Sequence, residues 1–163
     1  MKEQFLVHPI PPTWDESSRV LILGSFPSVK SREMGYFYGH PQNRFWKVLA
    51  RIFAEEVPMT VEERRAFLLR HHLAAWDVLA SCRITGSSDS SIRDAVPNDI
   101  LPILEGSQIR TICCNGKKSH QIYRKYMEPA VGREAVCLPS TSPANAAWSL
   151  ERLTAAWGEV IRG

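Results

Sequence analysis

The apolar run Val20-Leu-Ile-Leu23, broken abruptly at Gly24, constrains this chain more than any other stretch. A short apolar run closed by a turn signal reads as a strand buried on both faces. Behind it, Gly24-Ser-Phe-Pro-Ser28 and Tyr36-Phe-Tyr-Gly-His-Pro-Gln-Asn-Arg-Phe-Trp46 crowd glycines, prolines, aromatics, a histidine and an asparagine ahead of a helix. Open α/β sheets bind ligands at loops that leave the carboxyl ends of their central strands. The rest of the chain is therefore read as support for this loop.

Taken in order, residues 1–19 carry Pro9, Pro11 and Pro12 and predict an extended arm that packs Phe5 and Trp14 on the body. Strand one is Val20–Leu23. Apolar residues at helical spacing predict a helix over Arg44–Ala54, and the capping box Thr60-Val-Glu-Glu63 opens a second that runs to about His71. Leu73–Leu79 reads as strand two, interrupted only by Asp77, and Gly86–Ser91 as a loop. Asn98 is placed to cap a short helix through Leu104. Ile109–Cys114 reads as strand three, Lys117–Met127 as a helix, Ala135–Leu138 as strand four and Ala146–Arg162 as the last helix. Strands alternating with helices imply an α/β fold of three layers, a central four-stranded parallel sheet with helices on both faces.

A chain of 163 residues is expected to form one domain around a single core. A formal charge of +3 is compatible with a nucleic-acid partner without requiring one. The four cysteines show no C-x-x-C spacing, and Cys113 and Cys114 sit inside a strand-like run, which suits buried reduced thiols better than a metal cage. No apolar stretch resembles an export signal or a membrane span, so a cytoplasmic protein is expected, and it is taken to act as a monomer.

The strand ends deliver Ser25, Phe26 and the aromatic loop, then Asp77, then Asn115 and Lys117, then Ser140, Thr141 and Ser142. Converging on one crevice, they suit a flat heterocycle attached to phosphates. Asn115-Gly-Lys-Lys-Ser119 imitates the tail of a phosphate-binding P-loop, but Thr111 stands where that loop needs another glycine. Gly24-Ser-Phe-Pro-Ser28 is not a nucleophile elbow, because Phe26 occupies the place of the serine.

The first two motifs, together with Leu138-Pro-Ser-Thr-Ser-Pro-Ala-Asn-Ala146, resemble the uracil-DNA glycosylase superfamily, and within it the hypoxanthine-DNA (deoxyinosine) glycosylase branch. The similarity runs from about Val20 to Trp157. It implies metal-free, cofactor-free hydrolysis of the bond between a deaminated base, chiefly hypoxanthine, and its sugar in DNA. The residue before the proline of the first motif, usually an acid or amide, is Phe26 here, so the resemblance assigns the catalytic role to Asn43. Tyr38 takes the place of the stacking aromatic, with Phe26 as the facing wall of a slot for a flipped base. Asp77 and His40 are candidates for contact with the base, and Ser140, Thr141, Ser142 and Lys117 for contact with DNA. Asn43 alternatively caps the helix that follows it, and Asp77 alternatively tethers a turn. A uracil or mismatch glycosylase, a non-catalytic binder of damaged DNA and a nucleoside hydrolase are the competing readings.

Overall fold

The computed structural model describes residues 3–85 and 91–162, and residues 86–90 of the expected loop lie outside them. In chain order the elements are β1 (Glu3–Val7), β2 (Val20–Gly24), α1 (Val29–Met34), α2 (Phe45–Phe53), α3 (Val61–Arg70), β3 (Leu73–Asp77), β4 (Leu79–Thr85) and β5 (Arg93–Pro97). There follow α4 (Leu101–Gly106), β6 (Thr111–Asn115), α5 (Lys117–Ile122), a π-helical turn (Tyr123–Met127), α6 (Glu128–Val131), β7 (Val136–Leu138) and α7 (Leu150–Arg162).

The central sheet is parallel, in the order β3-β2-β6-β7. All five residues of β2 are buried, and alternate side chains serve opposite layers. Val20 and Ile22 join Leu49, Phe67, Leu68, Leu153 and Trp157 from α2, α3 and α7. Leu21 and Leu23 join Ile103, Ile122, Tyr123 and Met127 on the other face. The three-layer arrangement read from the sequence is the one formed. Because the chain lays β3 on one side of β2 and β6 on the other, a crevice opens beyond the carboxyl ends of β2 and β6.

Within the arm expected over residues 1–19, Glu3–Val7 instead form an edge of a second, antiparallel sheet, in the order β1-β4-β5. Glu3 to Val7 pair with Thr85 to Ser81, and the His8 N–H extends the ladder to the Ala80 carbonyl at 2.7 Å. Thr13 then exchanges backbone hydrogen bonds of 3.1 and 3.0 Å with Ala75, stitching the segment to the edge of the parallel sheet. Phe5 does not pack on the body: it is exposed, with the Arg83 guanidinium 5.5 Å from its ring centroid, whereas Trp14 is half-buried against the core as expected. Strand two of the sequence reading is really two strands, since the direction changes after Asp77 and β4 begins at Leu79.

Three boundaries moved for local reasons. Asn98 does not cap α4; its amide donates to the carbonyls of Asp77 and Leu79 at 2.9 and 3.2 Å, while Asp99 Oδ1 accepts from the Leu101 N–H. The last helix starts at Leu150 rather than Ala146 because the Arg44 guanidinium draws off the carbonyls of Ser142, Asn145 and Trp148. Helix α1, unforeseen in the aromatic loop, is capped by Ser28 Oγ and ended by Gly35 at φ 75°. The capping box of α3 forms as its sequence predicts, Thr60 Oγ1 accepting from the Glu63 N–H and Glu63 Oε1 from the Thr60 N–H, each at 3.0 Å.

Cys82, Cys113 and Cys114 are buried and Cys137 is exposed. Burial pushes the Cys114 thiol up to about 12 and Cys113 higher still. Cys137 is also raised by partial desolvation, against the pull of the Lys117 charge. A thiol-specific reagent applied to native protein should therefore titrate one cysteine of four at pH 8 and still one at pH 9, and all four in denaturant. Two or more fast thiols in the native state would contradict this packing.

Candidate active site

The cleft over the carboxyl ends of β2, β3 and β6 has a volume of about 320 Å³. Phe26, Tyr38, His40, Asn43, Asp77, Ser140, Thr141 and Ser142 all line it, together with Gly24 and Asn115. Of the residues singled out in the sequence, Lys117 alone is not brought to it; it is exposed at the start of α5, beside Cys137. From Lys117 the helical run continues through the π turn and α6 to Val131.

Asn43 is held by a relay of hydrogen bonds that fixes which way its carboxamide points. Asn115 Nδ2 donates to Thr141 Oγ1 at 2.9 Å, Thr141 Oγ1 donates to Asn43 Oδ1 at 2.8 Å, and Thr141 N–H donates back to Asn115 Oδ1 at 3.0 Å. Asn43 Oδ1 also accepts from the Phe45 N–H at 3.0 Å, at the start of α2. The capping and site-building roles thus coexist in one side chain. Because the oxygen already serves two donors, the amide NH₂ is the group that Asn43 offers to a ligand. Thr141, expected to contact DNA, is instead fully buried and has its hydroxyl committed within this relay.

The second loop is braced from below. Arg44 N–H donates to the Thr141 carbonyl at 3.0 Å, and the Arg44 guanidinium gathers the carbonyls of Ser142, Asn145 and Trp148. Inside the loop, Ser140 Oγ accepts from the Ser142 N–H at 3.1 Å and Ser142 Oγ from the Ala144 N–H at 3.2 Å. Gly116, at φ 99°, lets the loop come close: a Cβ there would lie 3.1 Å from that of Ser140.

At the floor, Gly24 makes room for two polar groups. A Cβ added to it would lie 2.3 Å from Asp77 Oδ1 and 3.2 Å from the Tyr38 hydroxyl. The Tyr38 hydroxyl is buried without a hydrogen-bond partner, and Asn115 lies close without reaching hydrogen-bond geometry. Burial, and next the neighbouring Asp77, drive its acidity far below that of an ordinary phenol, so it remains an O–H donor through the alkaline range. One face of the Tyr38 ring stacks on Phe45, centroids 3.9 Å apart and planes at 17°. Its backbone sits at φ 54°, a left-handed conformation that costs a tyrosine about 1–2 kcal/mol and recurs where function demands it. His40 is exposed at the cleft, with Nδ1 accepting from the Gln42 N–H at 3.1 Å.

One residue behind this floor, not itself lining the cleft, escaped the sequence reading. His8 Nε2 lies 2.7 Å from Asp77 Oδ2, and both side chains are almost wholly buried. A lone histidine between Val7 and Pro9 carries no sequence signal for this. The pairing spans 69 positions and depends on the unforeseen strand β1.

A parallel-sheet crevice with a carboxamide, a buried phenol and aromatic walls defines a class of base-handling α/β proteins, and comparison with known proteins makes the class specific. Residues 11–160 match the model of the uracil DNA glycosylase superfamily. The hypoxanthine DNA glycosylase of Methanosarcina acetivorans is 34% identical over 154 residues, covering 93% of this chain and 96% of the relative. Its counterpart in Methanosarcina barkeri is 32% identical over the same length and shares. The solution NMR structure of a candidate uracil DNA glycosylase from Methanosarcina acetivorans superposes with a TM-score of 0.81 at 33% identity, covering 96% of this chain and 98% of that one. The chain belongs to the uracil DNA glycosylase superfamily and is a DNA glycosylase.

The relay makes Thr141 a sensitive point. Thr141→Val should lower single-turnover base release by about 10- to 100-fold, the range expected for losing a buried bond of about 1.5–3 kcal/mol, while Thr141→Ser retains most of it. Equal losses in the two variants, at matched melting temperatures, would show that the hydroxyl does not orient Asn43.

Proposed function

We propose that this glycosylase removes hypoxanthine from DNA by hydrolysis, without a covalent enzyme intermediate, acting as a single-domain monomer in base excision repair. The observation that carries the reading is the pairing of an acceptor and a donor at Gly24: Asp77 Oδ1 beside the unpartnered Tyr38 hydroxyl. An N–H next to a C=O satisfies both at once. Hypoxanthine offers that edge as N1–H and C6=O, whereas adenine offers a bare N1 and an amino group, which would set a lone pair against the carboxylate. Deamination therefore converts a base the floor repels into one it holds. Leaving a buried polar group unpaired costs about 1–3 kcal/mol, enough to select strongly once two groups are involved.

Uracil shares the same kind of edge, so the floor alone does not rank the two. The named activity of the two Methanosarcina relatives, hypoxanthine DNA glycosylase, favours the purine. Phe26 would stack on the flipped base, Tyr38, backed by Phe45, would meet its carbonyl edge through the hydroxyl, and His40 would stand at the mouth. The hydroxyls of Ser140 and Ser142, on a loop already stiffened by Arg44, would approach the DNA backbone, with Lys117 farther out.

In the reaction the bond from C1′ to the base nitrogen breaks, its electron pair leaving with the base. Water forms the new C1′–O bond, and the proton it loses ends on the released base. Asn43 has no basicity to remove that proton. Its NH₂ can donate to the water oxygen or to the departing base, so its contribution is positioning and charge stabilisation.

Duplexes containing inosine, uracil or xanthine, incubated with enzyme and then cleaved at abasic sites, test the proposal. Inosine should be processed at least tenfold faster than uracil, and Asn43→Ala should lose activity by about 100-fold or more with its melting temperature nearly unchanged. Faster release of uracil would replace the substrate, and release of no base would remove the catalytic reading. Asp77→Asn should raise KM and narrow the preference among bases. A uniform fall in kcat on every base would make Asp77 the water-holding group instead.

A further inference from the structure

We infer that His8, carried in on the N-terminal strand, is a positioning residue that fixes Asp77 for reading the base. The inference rests on the reading of Asp77 proposed above. The ring of His8 has both nitrogens engaged. Nδ1 accepts from the Ile10 N–H at 3.2 Å, which places the ring proton on Nε2, where it points at Asp77 Oδ2 2.7 Å away. The tautomer is set by a backbone N–H two residues along, not by the carboxylate itself. With Oδ2 bound, the carboxylate cannot rotate freely, and Oδ1 is the oxygen left at Gly24 and the cleft.

The same imidazole buttresses the wall of the slot. It meets Phe26 edge-on with centroids 5.7 Å apart and Trp76 edge-on at 6.2 Å. Trp76 Nε1–H in turn donates to the Ile10 carbonyl at 3.1 Å, closing a short circuit around the histidine. The N-terminal strand thereby connects to two elements of base recognition, the acceptor and the aromatic face. A hydrogen bond from Nε2–H makes Oδ2 useless to a ligand and keeps Oδ1 an acceptor, which is what an N–H edge requires. Without it the buried carboxyl is free to turn, and Oδ1 is no longer held toward Gly24 and the cleft. The histidine's effect should then appear in how the base is bound and chosen, not only in stability.

The test is a double-mutant cycle on His8 and Asp77, read by KM and kcat on inosine- and uracil-containing duplexes and by melting temperature. His8→Leu should reduce kcat/KM on inosine by about 10- to 100-fold, mainly through KM. His8→Gln, whose amide nitrogen reaches a similar place, should recover most of it. In the Asp77→Asn background, His8→Leu should add less than about twofold, because its partner is already gone. Losses that multiply in the double variant, or a His8→Gln no better than His8→Leu, would reduce His8 to a strand anchor. Should His8→Leu fail to fold, His8→Phe keeps the aromatic packing while removing the donor and is judged by the same outcomes. Failure of the underlying reading looks different: Asp77→Asn alone would then leave KM and base preference unaltered.

Discussion

The site depends on a three-residue chain of hydrogen bonds, Asn115 to Thr141 to Asn43, that ties the end of β6 to both functional loops. Each carboxamide could in principle face either way, and the chain removes that freedom. Thr141 N–H needs the oxygen of Asn115, which sends its NH₂ to the threonine hydroxyl, which must then donate onward to Asn43. The direction of one backbone N–H thus decides which atom of Asn43 a flipped nucleotide meets. Such chains polarise cooperatively and, being buried, are costly to leave incomplete.

Around this relay the protein builds rigidity from the parallel sheet. β2 is buried on both faces, so the position of Gly24 is set by the packing of two cores. Asp77 and Asn115 end the neighbouring strands, and their register with β2 puts Asp77 opposite Gly24. The Tyr38 hydroxyl is buried without a hydrogen-bond partner, and its backbone is left-handed. Unsatisfied and strained groups of this kind cluster where a ligand completes the structure.

Much of this was legible in the residues. The apolar runs gave the parallel strands because strands covered on both faces need no alternation, and the capping box of α3 announced itself by local chemistry alone. Eight of the nine site residues proposed from sequence line one cleft, because strand ends in such a sheet must converge. What stayed hidden was long-range. β1 and β5 are mostly exposed strands and β4 buries Leu79, Cys82 and Ile84 at irregular spacing, so their pairing follows from tertiary contact and not from local pattern. His8 was invisible for the same reason. Thr141 and Ser140 look alike in sequence, and only the fold shows that one hydroxyl faces inward and is used up.

The most direct measurement of the central claim is a crystal structure of the protein bound to a duplex carrying 2′-fluoro-deoxyinosine, whose glycosidic bond resists cleavage. The account predicts a base flipped into the cleft, Asp77 Oδ1 facing its N1–H, Tyr38 donating to its carbonyl oxygen, and Asn43 presenting NH₂ with the Thr141 bond intact. A base lodged elsewhere, or an Asn43 turned over with its oxygen toward the sugar, would contradict it.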